Sequence, residues 1–220
     1  MYKELIQQLG STRLVAVSKT QPTEAILNLY DQGQRIFGEN KVQELVSKHE
    51  ALPKDIEWHL IGHLQSNKVK YMASFVTMIH SVDSLKLLEE INRQAERNNR
   101  VINCLLQFKI NDEETKFGLD QKEAFALLES ASYPTLQNIR LCGVMGMASF
   151  VEDEAQIRQE FKALHQIFDA LKARYFPNDD NFKEISMGMS DDYPIAVAEG
   201  STLVRIGTLL FGARNSGNPQ

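Results

Sequence analysis

Short apolar runs alternate with amphipathic segments along all 220 residues, and this alternation limits the folds that the chain can adopt. Strands that alternate with helices form a mainly parallel sheet, because each helix carries the chain back to the edge where the previous strand began. Eight apolar runs qualify as strands. They are residues 13–19, 35–40, 57–62, 76–82, 102–109, 140–147, 184–189 and 202–208.

The segments between these runs have the periodicity and the end signals of helices. The clearest pattern is the recurrence of Ile157, Phe161, Leu164 and Phe168 at intervals of three and four residues, which predicts an amphipathic helix. Another helix is predicted after the N-cap residue Ser84, and a third where Asp120 and Glu123 have the spacing of a capping box. Further helices are predicted at 22–32, 41–50, 67–73 and 193–199.

Eight strands, all but the last followed by a recognisable helix, predict an α/β protein with a single (β/α)8 TIM barrel. A doubly wound open sheet is the alternative. No linker, low-complexity block or internal repeat interrupts the pattern, so we assign one domain to residues 1–220 and expect residues 215–220 to be frayed.

Composition excludes several classes of partner. The chain has 24 basic and 29 acidic residues, so it lacks the positive field that nucleic acid requires. Cys104 and Cys142 lie in apolar runs without a second ligand at metal-binding spacing, and we expect both to be reduced. No targeting segment or membrane span is recognisable. We expect a soluble, cytoplasmic protein that binds neither nucleic acid nor membranes.

The ends of the predicted strands carry the candidate site residues, because a barrel of this kind builds its site at the carboxyl ends of its strands. Lys19 is the most informative, since an ammonium group at the end of a buried strand is costly without a partner or a lowered pKa. It is either a lysine that reaches solvent at the rim or an amine that forms an imine with a carbonyl compound. The other candidates are Asn40, His63, Gln65, Asn67, Ser81, Asp83, Lys109, Asn111, Met147, Ser149, Ser190, Asp191, Arg205, Gly207 and Thr208.

The last two strands end in a pattern typical of a phosphate site. Ser190, Gly207 and Thr208 could offer hydroxyls, backbone N–H groups and a helix N-terminus, and Arg205 could add charged donors. The alternative is that the glycines only form turns and that Arg205 is a surface cation. A lysine amine opposite a phosphate site is the arrangement that pyridoxal 5'-phosphate (PLP) needs, since it has an aldehyde and a phosphate.

Two other constellations are weaker. His59 and His63 are four residues apart, but the sequence around them predicts a strand and places no acid where a zinc peptidase needs one. We therefore predict no metal site, with His59 as a satisfied core or rim histidine and His63 at the mouth. Asp83, Asp191 and Asp192 are better explained as helix caps than as paired catalytic carboxylates.

Several motifs occur in a characteristic order: LVAVSKTQP, FGENKVQE, WHLIGHLQSNK, SVDS, NDEETKFGL, CGVMGMA and SMGMSDDYPIAVAEGSTLVRIGTLLFGAR. With them the sequence resembles, over essentially its whole length, the YggS/PROSC family of pyridoxal phosphate homeostasis proteins, including cyanobacterial members. The resemblance implies a fold type III barrel like the N-terminal domain of alanine racemase, without the racemase C-terminal β-domain. It also implies that Lys19 holds PLP covalently as a Schiff base. In this family pattern Ser190, Arg205, Gly207 and Thr208 hold the phosphate with Met189 alongside, and Asn40, His63 and Met147 border the ring.

The resemblance further implies a protein that holds, buffers or delivers PLP, and so affects vitamin B6 and amino-acid and keto-acid balance. We expect no efficient turnover, because racemases of this fold take a second acid/base group from a β-domain that the sequence lacks. The alternatives are a fold type III enzyme such as an amino-acid racemase, and a regulatory module whose PLP acts as a sensor. We expect a monomer, with PLP-dependent apoenzymes as candidate partners.

Overall fold

The structure is a computed structural model that describes residues 1–113 and 117–212. The segment 215–220, for which the sequence predicts fraying, lies outside the described residues.

Eight parallel strands close into a barrel in chain order. The last strand pairs with the first in four consecutive register pairs, from Arg13 with Leu203 to Ala16 with Ile206. The predicted barrel is therefore confirmed, and the open-sheet alternative is wrong. The strands are β1 (Arg13–Val17), β2 (Ile36–Glu39), β3 (Glu57–Leu60), β4 (Met78–Val82), β5 (Ile102–Phe108), β6 (Ile139–Gly146), β7 (Glu184–Ser186) and β8 (Leu203–Ile206).

Helices cover the outside of the barrel, and those predicted from the sequence are present. Ser84 Oγ accepts the N–H of Leu87, and Asp120 and Glu123 form the predicted capping box. The described helices are α1 (Tyr2–Leu9), α2 (Thr23–Asp31), α3 (Val42–Ala51), α4 (Leu85–Arg97), α5 (Gln121–Leu128), α6 (Glu154–Tyr175), α7 (Tyr193–Ala198) and α8 (Thr208–Phe211).

One predicted helix has a different form, and three short helical segments, α1, α8 and a 3-10 turn at Tyr133–Thr135, were not predicted. Ser66–Tyr71 is a 3-10 helix and not an α-helix. Short connectors often take this form, and Val69 is the one buried residue of this segment that packs against the rest of the fold. Helix α1 was not predicted. Its Leu5 and Leu9 pack with Val204 of β8. This apolar contact joins the two ends of the chain, so it depends on the closed barrel and not on the local sequence.

Two apolar layers hold the barrel together. The inner layer fills the barrel and contains Val15, Met78, Leu105, Cys142, Met145 and Leu203. The outer layer lies between strands and helices and includes the fully buried Trp58, Phe37 and Phe161. Burial on both faces explains why the strands appear in the sequence as nearly continuous apolar runs. Within the described part of the chain, no helix combines the length and the apolar character needed to cross a membrane.

Candidate functional site

A cavity of about 530 Å³ opens at the carboxyl ends of the strands. All nine residues that the sequence predicts to contact the cofactor line this cavity, although they come from six different strand ends. They are Lys19, Asn40, His63, Met147, Met189, Ser190, Arg205, Gly207 and Thr208. The fold therefore brings together side chains that are as far apart in sequence as 19 and 208.

Lys19 lies in the turn after β1 and not in the strand itself. β1 ends at Val17, and the N–H of Gln21 donates to the carbonyl oxygen of Ser18 at 3.0 Å. This hydrogen bond closes a tight turn with Lys19 as its second residue. Lys19 is half-buried and lines the cavity, so its position combines access to a ligand with partial removal from water.

Arg205 lies at the floor of the cavity and is almost completely buried, with 3% of its surface exposed. The interpretation as a surface cation is therefore wrong. Its guanidinium donates to Ser186 Oγ at 2.5 Å and to the carbonyl oxygen of Gly146 at 3.1 Å. Within residues 1–113 and 117–212, no carboxylate lies within salt-bridge distance of it. Burial lowers the pKa of Arg205 to about 10, against a smaller opposing effect of Asp192.

A buried cation with neutral partners is unusual, because charges removed from water are normally paired. The guanidinium of Arg205 faces a cavity, where an acceptor atom or an anionic group of a ligand could supply the missing partner. The chemistry of this position thus favours a ligand that carries negative charge or strong hydrogen-bond acceptors.

A hydrogen-bonded chain of side chains, here called the hydrogen-bonded column, continues from Arg205 through Ser186 and His80 to His59 inside the barrel. Ser186 Oγ lies 2.9 Å from His80 Nδ1, and His80 Nε2 lies 2.8 Å from His59 Nδ1. Burial lowers the pKa of His59 to about 3 and that of His80 well below its usual value, with the charge of Arg205 contributing at His80. Both histidines are therefore neutral. His59 is a satisfied core histidine, whereas His80 and Ser186 were missed; their signal was a polar residue inside a short strand that is buried along its whole length.

The loops after β7 and β8 form one wall of the cavity. Ser190 Oγ accepts the N–H of Leu209 at 3.2 Å, which leaves its hydroxyl proton available to a ligand. Helix α8 contains only four residues, so its dipole is small and a phosphate here would depend on hydroxyls and N–H groups. Asp192 occupies the N-cap position of α7 without a side-chain cap bond. Its carboxylate instead accepts the N–H of Met189 at 2.7 Å and shapes this loop.

The rim of the cavity is apolar and exposed. His63 stacks on Phe117 with ring centroids 3.7 Å apart, and Phe150 is 82% exposed. Phe117, Phe150 and the more buried Gln107 belong to the lining and were not predicted. Their positions follow from how the loops fold over the mouth, which local sequence patterns do not specify.

Several predicted strand-end candidates lie outside the lining. Ser149 donates to Glu160, and Asp83 accepts the N–H of Gly118 at 3.4 Å. These two residues connect neighbouring elements of the fold. The described residues contain no group of three or more His, Cys, Asp or Glu side chains that could hold a metal ion, and both cysteines are free thiols.

Comparison with known proteins identifies the family. Residues 2–215 match the family described as alanine racemase, N-terminal domain. The pyridoxal phosphate homeostasis protein of Aquifex aeolicus (strain VF5) is 41% identical over 203 residues, covering 92% of this chain and 87% of that protein. The protein of the same name from Synechocystis is 38% identical over 217 residues, covering 97% of both. These identities do not favour a cyanobacterial origin over another.

Solved structures agree with these relatives. PipY of Synechococcus elongatus PCC7942, in a structure with PLP bound, has a TM-score of 0.87 at 39% identity, covering 96% of this chain and 98% of PipY. Alanine racemase from Bartonella henselae has a TM-score of 0.70 at 18% identity and covers 99% of this chain but 58% of the racemase. The second comparison shows the fold alone. By its sequence relatives, its domain match and its barrel, the chain belongs to the pyridoxal phosphate homeostasis protein family, whose fold is that of the alanine racemase N-terminal domain.

Proposed function

We propose that this protein binds PLP in the cavity at the barrel mouth, holds it as a Schiff base on Lys19, and acts in the homeostasis of this cofactor. The observation that carries the proposal is the placement of Lys19 in the same cavity as Arg205, a buried cation with no carboxylate within salt-bridge distance among the described residues. The homeostasis proteins of Aquifex and Synechocystis and the PLP-bound structure of PipY support it.

The cavity fits PLP in size and in chemistry. Its volume lies within the range of small-molecule sites, and its walls offer an amine on one side and hydroxyls of Ser190 and Thr208 on the other. When PLP is bound, it supplies an aldehyde that condenses reversibly with a neutral lysine amine and releases water.

The protein's own groups have separable roles in this proposal. Lys19 provides the amine, and its turn limits how far that amine can move. Ser190, Gly207 and Thr208 bind the phosphate with Met189 alongside, and Asn40, His63 and Met147 border the ring. Arg205 supplies a fixed positive charge for that phosphate from the floor of the cavity.

We further propose that the protein does not turn over substrates efficiently. The related proteins are named for homeostasis, and no tyrosine belongs to the described lining of the cavity. The exposed rim leaves a bound imine open to water, which favours release by hydrolysis over protected carbanion chemistry. PLP-dependent apoenzymes would be the recipients of released cofactor, and the protein would act as a monomer.

Absorption spectroscopy tests the central claim. Protein incubated with PLP should develop the absorption band of a PLP imine, and borohydride should fix the label on Lys19. Lys19→Ala should lose both signals, whereas Lys109→Ala, a lysine outside the described cavity lining, should keep them. Protein that gains no band, or a label that persists in Lys19→Ala, would overturn the assignment.

A separate assay addresses the alternative of a racemase. Purified protein loaded with PLP should show no sustained conversion across a panel of L- and D-amino acids. Steady turnover of any of them, abolished by Lys19→Ala, would establish an enzyme and contradict the proposal.

A further inference from the structure

The turn that carries Lys19 has an unfavourable backbone conformation. Lys19 and Thr20 are the two central residues of the turn closed by the hydrogen bond from Gln21 to Ser18. Thr20 has a φ of +64°, which glycine adopts readily and a β-branched residue adopts rarely. Such a residue keeps a positive φ only where surrounding contacts enforce it.

Two side chains of α3 provide those contacts. Glu44 Oε1 accepts the N–H of Thr20 at 2.5 Å. Lys48, one helical turn further on, donates to the same oxygen at 2.8 Å and to the carbonyl oxygen of Ser18 at 2.5 Å. The carbonyl of Ser18 and the N–H of Thr20 belong to the two peptide groups that flank Lys19. Both of these peptide groups are thus hydrogen-bonded to residues one turn apart on the same helix.

Lys48 is held firmly in turn. Its third hydrogen bond goes to Glu39 Oε1 at 2.6 Å, and the same oxygen accepts the hydroxyl of Ser18 at 2.8 Å. Glu39 and Lys48 are both buried, and the second carboxylate oxygen of Glu39 has no hydrogen-bond partner among the described residues. A buried ion pair of this kind contributes little to stability compared with an apolar replacement. Its presence is better explained by what it holds in place.

We infer that Glu44 and Lys48 are positioning residues, which fix both peptide groups of Lys19 and so direct its amine toward the cofactor. The inference rests on the proposed function, since it concerns how Lys19 reaches PLP. Neither side chain belongs to the described lining of the cavity. Both act through the backbone of the turn and not by contact with the ligand.

The test separates positioning from general stability by changing the turn as well as the helix. Glu44→Ala removes the acceptor that holds Thr20, and it should slow imine formation with PLP by about tenfold or more, a factor of ten being the effect of about 1.4 kcal/mol. Combining it with Thr20→Gly should restore the rate, because glycine adopts a positive φ without strain. Glu44→Gln, which keeps an oxygen acceptor, should retain most of the rate.

The measurement is stopped-flow absorbance after mixing apoprotein with PLP, followed by borohydride trapping and mass analysis of Lys19. Glu50→Ala, an exposed glutamate on the same helix, is the matched control and should behave like the unchanged protein. An unchanged rate in Glu44→Ala, or a slow rate that Thr20→Gly does not restore, would overturn the inference. Absence of label on Lys19 in the unchanged protein would instead overturn the proposed function.

Discussion

Replacing Arg205 by methionine should abolish tight PLP binding while leaving the apoprotein nearly as stable as before. Arg205 is charged at neutral pH in both the folded and the unfolded chain. Burial lowers its pKa in the fold to about 10 from an ordinary value of 12.5. The fold therefore binds this proton less tightly than the unfolded chain does, so burial of the charge opposes folding at neutral pH, and this opposition decreases only as the pH rises above about 10.

The magnitude follows from that difference. At 1.36 kcal/mol per pH unit, the buried charge costs about 3 kcal/mol of folding free energy, which Arg205→Met would recover. Against this gain stand the hydrogen bonds that the charged guanidinium donates to Ser186 and Gly146, at about 1.5–2 kcal/mol each, the lower part of the range for hydrogen bonds with an ionised partner. The two effects nearly cancel, so the free energy of unfolding should change by less than about 2 kcal/mol. The loss of PLP affinity should be a hundredfold or more, about 3 kcal/mol.

Denaturant unfolding of the apoprotein and a PLP titration measure the two quantities. Arg13→Met is the control, because Arg13 forms a salt bridge with the buried Glu184 at 2.6 Å. Arg13 is the first residue of β1 and so lies at the end of the barrel away from the cavity. That variant should lose stability, since it leaves a buried carboxylate without its cation, but should bind PLP normally. If Arg205→Met lost more than about 3 kcal/mol of apoprotein stability, or bound PLP as before, the interpretation of Arg205 as a buried cation that awaits a ligand would be refuted.

The remaining predictions concern the hydrogen-bonded column and the loop after β7. Because the pKa of the buried His59 is about 3 and that of His80 is also lowered, the unfolded chain takes up protons that the fold does not. The free energy of unfolding should therefore fall by up to about 1.4 kcal/mol per pH unit for each histidine as the pH drops below about 6.5. Urea unfolding between pH 7.5 and 5 measures this slope, and His80→Gln should roughly halve it. A slope in that variant equal to that of the unchanged protein would contradict the prediction. Gly188→Ala should destabilise the protein by about 2–4 kcal/mol and weaken PLP binding, because its φ is +102° and an added Cβ would lie 2.6 Å from that of Ala196. Gly33→Ala is the control for backbone strain alone, because Gly33 has a φ of +111° and open space around the new Cβ. An equal loss of thermal stability in the two variants would show that the steric contact at Gly188 is unimportant.

The barrel could be predicted because its cause is local. Strands buried on both faces need apolar residues at nearly every position, and the helices between them need a stripe at helical spacing. Each of the eight predicted strands therefore overlaps an observed strand, and seven of them contain it completely. The site residues could be located for a related reason: once the barrel is assigned, the residues after its strands must share one end.

The contacts of those residues could not be predicted in the same way. Arg205 has the same position in the sequence whether it reaches solvent or the barrel interior, and its partner Ser186 is 19 residues away. His80 and Ser186 are separated by 106 residues. Such hydrogen bonds depend on the direction of side chains inside a closed barrel, which periodicity does not encode.

The sequence by itself determined the fold class, the family and the end of the barrel where the site lies, because these follow from burial patterns and motifs along the chain. Only the tertiary structure decided that Arg205 is a buried cation with neutral partners and that Glu44 and Lys48 hold the turn of Lys19. The physical reason is that the energy of a charge or of a strained peptide depends on which groups surround it in space. Those groups come from distant strands and helices, and they meet only when the barrel has closed.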